Sequence, residues 1–144
     1  MALVRDDFSN AEAFLAAHPA VRVVDLLLPD LCGVLRGKRI DRADLASIYQ
    51  RGMFLPGSMF ALDVLGGTIE ATGLGFDEGD ADRACVPLAG TLFPASWMGP
   101  SVAQLQVQML DLDDAPFYGD PRHLLDTVLE RYAARGWTPV VALE

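Results

Sequence analysis

Cationic side chains are scarce in this sequence: 11 Lys and Arg stand against 20 Asp and Glu, a net charge of −9. A nucleic-acid partner needs a basic face for its phosphates, and anionic lipid needs the same, so neither is expected. No run approaches the ~20 apolar residues of a membrane span. The start, Met1-Ala2-Leu3-Val4-Arg5-Asp6-Asp7, shows no apolar stretch behind a basic patch and so no secretory signal. Only two cysteines occur, Cys32 and Cys85, far apart and without metal-type spacing. They read as buried, reduced thiols of a cytoplasmic protein. The two histidines, His18 at a helix end and His123 in a helix's first turns, read as surface residues. No Ser/His/Asp cluster has nucleophile spacing. Gly66-Gly67 and Gly73-Leu74-Gly75 precede no helix, which removes them as phosphate cradles.

What is present is an apolar fraction of 51%, enough for a real core. Ser9 and Glu12 form a capping-box pattern for a helix over residues 10–17, stopped by Pro19. Residues 21–28 are β-branched at their start and read as a strand. Pro29-Asp30-Leu31-Cys32-Gly33 supplies turn chemistry, and residues 34–40 return as the second strand of a hairpin. Asp41 is placed to cap a helix over 42–51, with Leu45, Ile48 and Tyr49 on one face and Gly52 as terminator. Residues 60–64 read as a short strand. Residues 65–83 hold five glycines and, counting Asp63 just before them, six acidic side chains, the composition of a long loop.

Residues 86–93, broken by Pro87 and Gly90, read as two strand fragments. Residues 103–112 alternate apolar and polar and give the clearest strand, half buried with its glutamines facing out. A turn at 113–116 and a linker over 116–120 follow. Asp120 as N-cap and Pro121 at N1 open a final helix with an apolar stripe of Leu124, Leu125, Val128, Leu129 and Tyr132, closed by Gly136 at C′. Residues 138–143 read as a strand with no sheet to receive it. The expectation is therefore the front of a larger protein: an α+β chain with an N-terminal helical arm (1–17), a β-grasp-like domain (18–113), and a linker with the first helix and strand of a truncated α/β catalytic domain (114–144).

Three features could carry chemistry. Arg36-Gly37-Lys38-Arg39 places three cations on a strand, where a solvated edge is favoured over a ligand site. Asp77, Glu78, Asp80 and Asp82 lack the spacing of a calcium loop, which favours a solvated loop. Glu144 closes an apolar strand, where α/β folds often place ligands, although a carboxylate there can equally have no role.

Several segments, in order, resemble the glutamine synthetase family, in particular its γ-glutamylpolyamine synthetase-like branch. They are Asp30-Leu31-Cys32-Gly33-Val34-Leu35-Arg36-Gly37-Lys38; Phe60-Ala61-Leu62-Asp63-Val64-Leu65-Gly66 with Thr72-Gly73-Leu74 and Gly79-Asp80-Ala81-Asp82; Pro87 with Gly90-Thr91-Leu92 and Trp97; Asp120-Pro121-Arg122; and Val140-Val141-Ala142-Leu143-Glu144. The resemblance implies a ligase that joins ammonia or a small amine to the γ-carboxylate of glutamate through a γ-glutamyl phosphate. It implies ATP and Mg²⁺ or Mn²⁺ as cofactors, and a homo-oligomeric ring whose sites form between subunits. It assigns Asp63 to binding and deprotonating the amine, although an aspartate there can equally do no more than cap its loop through nearby backbone N–H groups, and Glu144 to the metal as the first glutamate of a Glu-x-Glu pair. Val64-Leu65 stands where small polar residues usually follow the aspartate, which favours an amine larger than ammonia. The chain alone is expected to be inactive. The reading from another class is a stand-alone β-grasp module for binding or assembly.

Overall fold

The computed structural model describes residues 7–76 and 79–142. Helix α1 (Phe8–Ala17) precedes the strands β1 (Val23–Pro29) and β2 (Leu35–Asp41). A 3₁₀ turn, Arg42–Asp44, leads into α2 (Leu45–Arg51) and then β3 (Met53–Pro56). After a 3₁₀ turn at Gly57–Ala61 come β4 (Asp82–Pro87), β5 (Phe93–Pro94), β6 (Val102–Met109) and α3 (Pro121–Ala133). The chain is α+β.

The strands form one sheet in the order β2-β1-β6-β4-β3. β1 and β2 are the expected antiparallel hairpin, and β1 runs parallel to β6. β4 and β5 share the other edge of β6, pairing with residues 107–109 and 103–104 respectively. Thr91 fills the break between them: its hydroxyl donates to Leu88 O (2.7 Å) and accepts from Gln106 N (3.2 Å). The sheet curls, because Lys38 on one outer strand reaches the Phe54 carbonyl on the other at 3.4 Å. Gly37 sits opposite Leu27 with φ 148°, and a Cβ there would collide with the Leu26 carbonyl oxygen. Only glycine permits this approach of β2 to β1.

The core lies on one face of the sheet. Val24, Leu26 and Leu28 of β1 and Ala103, Leu105, Val107 and Met109 of β6 point into it at every second position. Leu45, Ile48 and Tyr49 of α2 cover them, as their spacing requires, and Ala11 and Leu15 of α1 join the same cluster. Arg42 fastens α1 by donating to the carbonyls of Leu15 (2.8 Å), His18 (3.1 Å) and Val21 (3.3 Å), the first of them in the last turn of the helix.

Several expectations are corrected. The N-cap of α1 is Asp7, whose side chain accepts from Ser9 N, so Ser9 lies inside the helix. Asp41 makes no side-chain cap, and the first turn after it is 3₁₀. Residues 57–61 are a 3₁₀ turn in place of a strand over 60–64; only a bridge between Leu62 and Thr68 remains. The reason is non-local: Asp80 accepts from both Ser58 N (3.1 Å) and Ser58 Oγ (2.7 Å) and so caps that turn. β4 begins at Asp82, inside the expected loop, because Met53–Pro56 gives it an antiparallel partner. Gln108 is buried, although Gln104 and Gln106 are partly open to solvent. Within the linker over 116–120, Phe117 is fully buried against Phe60 and Asp120 is buried too, while Tyr118 stays exposed. His123 is buried and Cys32 is exposed, each opposite to expectation.

The end of α3 forms as read. Gly136 has φ 68°, its N–H donates to Ala133 O, and Trp137 N–H donates to Tyr132 O. This pair of bonds is a Schellman closure, with Trp137 packing edge-on to Tyr132. The strand expected at 138–143 is absent over its described residues, 138–142. Val140 and Val141 are open to solvent, and no described strand offers them a ladder. The apolar stripe of α3 is likewise uncovered, with Leu124 67% exposed.

Candidate functional site

Asp63 begins a tight turn that leans on the tip of the β1–β2 hairpin. Its Oδ1 accepts from Leu65 N (2.9 Å) and Gly67 N (2.8 Å), and its own N–H donates to Gly67 O (2.8 Å). An Asp side chain closing its own turn is a local preference of this residue. The remaining oxygen, Oδ2, accepts no hydrogen bond from the described residues, and Asp63 is only partly buried. A carboxylate in that position has one oxygen committed to the loop and one open to a cation. Val64 and Leu65, which follow it, are 67% and 92% exposed, and Leu31 at the hairpin tip is 63% exposed.

The hairpin tip supplies the second layer. Asp30 is buried and accepts from Cys32 N (2.9 Å) and Val34 N (2.8 Å) through Oδ1, and from Arg36 Nε (2.9 Å) through Oδ2. Burial pushes the Asp30 carboxyl up, but the Arg36 hydrogen bond, the two backbone amides and the guanidinium charge outweigh it, so the carboxyl lies below its usual range. Arg36 then donates through Nη2 to Asp63 O at 3.1 Å. Cys32 Sγ approaches Leu62 O at 3.8 Å, a weak contact between the same two segments. Asp30, Arg36 and Asp63 were each legible as motif residues, but their junction was not. β2 is an edge strand as expected, yet its cations are engaged: Arg36 with Asp30, and Arg39 with Asp25 directly across the ladder at 2.7 Å.

Asp80 and Arg83 belong to a neighbouring network. Arg83 pairs with Asp111 (3.1 Å), donates to Ala81 O and lies 4.4 Å over the Phe117 ring. A shallow cavity of about 70 Å³ beside Gly57, Gly75, Asp80 and Arg83 has room for water rather than for a substrate. Asp77 and Glu78 lie outside the described residues, as does Glu144. Among the described residues no group of three His, Cys, Asp or Glu gathers as a metal site, so these residues do not by themselves fit a divalent cation. No helix among them is long and apolar enough to cross a membrane.

With this geometry in view, the chain can be set beside known proteins. No protein-family model matches it. It is 40% identical over 135 residues, 94% of its length, to γ-glutamylputrescine synthetase PuuA of Escherichia coli (strain K12). Among solved structures it resembles GmaS in complex with ADP (TM-score 0.66, 24% identity, 85% of this chain and 25% of that one). It also resembles GmaS without ligand (TM-score 0.66, 26% identity, 85% and 26%) and a novel glutamine synthase homolog (TM-score 0.68, 23% identity, 80% and 27%). The fold is thus that of one segment of these larger proteins. The chain belongs to the glutamine synthetase family, and spans 28% of the length of the curated relative it matches.

Proposed function

We propose that the parent protein is an ATP-dependent ligase joining an amine to the γ-carboxylate of glutamate, and that this chain supplies the Asp63 turn to the amine site. The 40% identity to a γ-glutamylputrescine synthetase over 94% of the chain carries this reading. In the reaction the terminal phosphoryl group of ATP passes to the γ-carboxylate. The amine nitrogen then attacks the acyl carbon, the carbon–oxygen bond to phosphate breaks, and the nitrogen sheds a proton. The open Oδ2 of Asp63 suits it to attract the alkylammonium and accept that proton, which requires the ionised carboxylate. The exposed Leu31, Val64 and Leu65 suit an alkyl chain better than ammonia.

The parallel β1–β6 pair beside the β1–β2 hairpin supports a β-grasp-like domain over 18–113, preceded by an arm (1–17) and followed by the start of the catalytic domain (114–144). Glu144 is the metal ligand this segment would add to a Mg²⁺ or Mn²⁺ site completed by other residues of the parent. The uncovered stripe of α3 supports burial in a larger body, assembled as a homo-oligomeric ring. The free thiols of Cys32 and Cys85 support a cytoplasmic location. The 144-residue chain alone is inactive on this reading. The test is phosphate release by the full-length protein with glutamate, ATP, Mg²⁺ and a panel of amines from ammonia to diamines. Release with a diamine supports the proposal, and no release with any amine defeats it.

A further inference from the structure

We propose that Arg36 is a positioning residue for the amine site: clamped by the buried Asp30, it holds the Asp63 turn in register without touching substrate. This rests on the role given to Asp63 above.

Asp30 has both oxygens in use, two backbone amides on Oδ1 and Arg36 Nε on Oδ2. The carboxylate is therefore fixed by the hairpin that it closes. A guanidinium is planar, so fixing Nε also fixes the direction of Nη2. Nη2 ends on the carbonyl of Asp63 itself, 3.1 Å away. That carbonyl belongs to the peptide following Asp63, and the Asp63 side chain closes the turn through Leu65 and Gly67. Holding the peptide plane therefore sets where Oδ2 points.

Little else holds the turn to the body of the protein. Its tip residue Leu65 is 92% exposed and contributes no packing. The bonds within it, such as Gly66 N to Asp63 O at 3.0 Å, are local and would move with it. The Leu62–Thr68 bridge and Ile69 N to Ala61 O (2.8 Å) close the base of the loop, not its tip. From the hairpin, the only other hydrogen bond to this loop among the described residues is the long Cys32 Sγ one. Arg36 is thus the charged tether between two segments separated by 27 positions. Lysine cannot replace it fully, since one ammonium lacks the fork needed to serve Asp30 and Asp63 in fixed geometry. A reacting group displaced by about 1 Å loses on the order of a hundredfold in rate, so a slack turn should be visible in kinetics.

The experiment uses the full-length protein and its Arg36→Gln, Arg36→Lys and Asp30→Asn variants, read two ways. Steady-state kinetics are measured with amine, glutamate and ATP varied in turn, and amide hydrogen exchange is followed peptide by peptide. Arg36→Gln should raise the amine KM by about tenfold or more and lower kcat, with the KM values for glutamate and ATP nearly unchanged. Exchange should quicken across residues 63–67 and stay at the wild-type rate in β1 and β6. Arg36→Lys should recover part of both effects, and Asp30→Asn should move both in the direction of Arg36→Gln. An unchanged amine KM in an active Arg36→Gln enzyme overturns the proposal, and so does a loss of protection spread evenly over the sheet. If the wild type releases no phosphate with any amine, the ligase reading fails separately. Exchange at 63–67 then decides the tether alone: unchanged rates in Arg36→Gln overturn it, and a localised increase supports it.

Discussion

Asp120 joins the end of β6 to the start of α3 by accepting from Met109 N through Oδ2 (2.7 Å) and from Arg122 N through Oδ1 (2.8 Å). His123 completes the lock. The Met109 carbonyl can only accept, so His123 Nε2 donates to it, at 2.6 Å. The lock is buried, and its removal orphans a buried amide as well as a helix cap. Asp120→Ala should therefore cost about 2–4 kcal/mol in urea denaturation. Asp120→Asn should cost less, because its carbonyl oxygen still serves one amide while its NH₂ faces the other donor. Equal losses for the two variants would contradict this account.

The two buried aspartates should shape acid stability in opposite senses. Asp30 lies below its usual range in the folded state, mainly because Arg36 and two amides outweigh its burial. The unfolded chain therefore takes up that proton first, and the stability Asp30 contributes is present above about pH 4 and lost as the pH falls through its folded value. Asp120 is pushed up by burial, only partly offset by the Met109 and Arg122 amides. Its folded form holds the proton more tightly, so its contribution declines as the pH rises from about 4 through the raised value. Denaturation midpoints across that range should fall less steeply on the acid side in Asp30→Asn than in wild type. Asp120→Asn should remove the decline on the rising side. Identical pH profiles for all three proteins would exclude both assignments.

Thiol labelling should separate the cysteines cleanly. Cys32 is exposed at the hairpin tip, whereas Cys85 has no accessible surface. Burial, with the nearby Asp120 charge, pushes the Cys85 thiol up to about 12. Thiolate is the reactive form, so at pH 8 one thiol per chain should react with an aromatic disulfide reagent in native protein and a second only after denaturation. Two fast equivalents in native protein would show the sheet around β4 to be open.

Elements with a local cause were readable from the sequence. The hairpin, α2 with its buried face, β6 and the capped α3 each follow from spacing or from a terminal residue. Strand β3 was missed because four residues, Met53–Pro56, are too few to show a period. Residues 60–64 read as a strand, and the 3₁₀ turn at Gly57–Ala61 that overlaps them went unseen because its cap comes from Asp80, over twenty residues away. The burial of His123 depends on the Met109 carbonyl, which no pattern within α3 reveals. At the site, Asp30, Arg36 and Asp63 could be picked out one by one. Their meeting required the register that sets Arg36 opposite Leu28 and so beside the turn. Residues 138–142 carry a strand's composition without a strand's partner, and composition alone does not make a ladder.

Asp63 offers the sharpest separation of a structural from a chemical role. Its Oδ1 serves the turn through Leu65 N and Gly67 N, while Oδ2 is the oxygen left for an amine. Asn at this position keeps an Oδ1 that can accept both amides but loses the charge. Asp63→Asn in the full-length protein should melt within a degree or two of wild type and lose turnover by about a hundredfold or more, as expected for removal of a general base. Ala removes both functions. Asp63→Ala should lose as much turnover and also about 1–2 kcal/mol of stability, with faster amide exchange at 65–67. If Asp63→Asn retains near-normal turnover, Asp63 is a turn-closing residue only and the proton acceptor lies elsewhere. If instead both variants melt normally and both are inactive, the carboxylate acts on substrate without being needed to hold its own loop. Calorimetry beside initial rates at saturating amine distinguishes these outcomes.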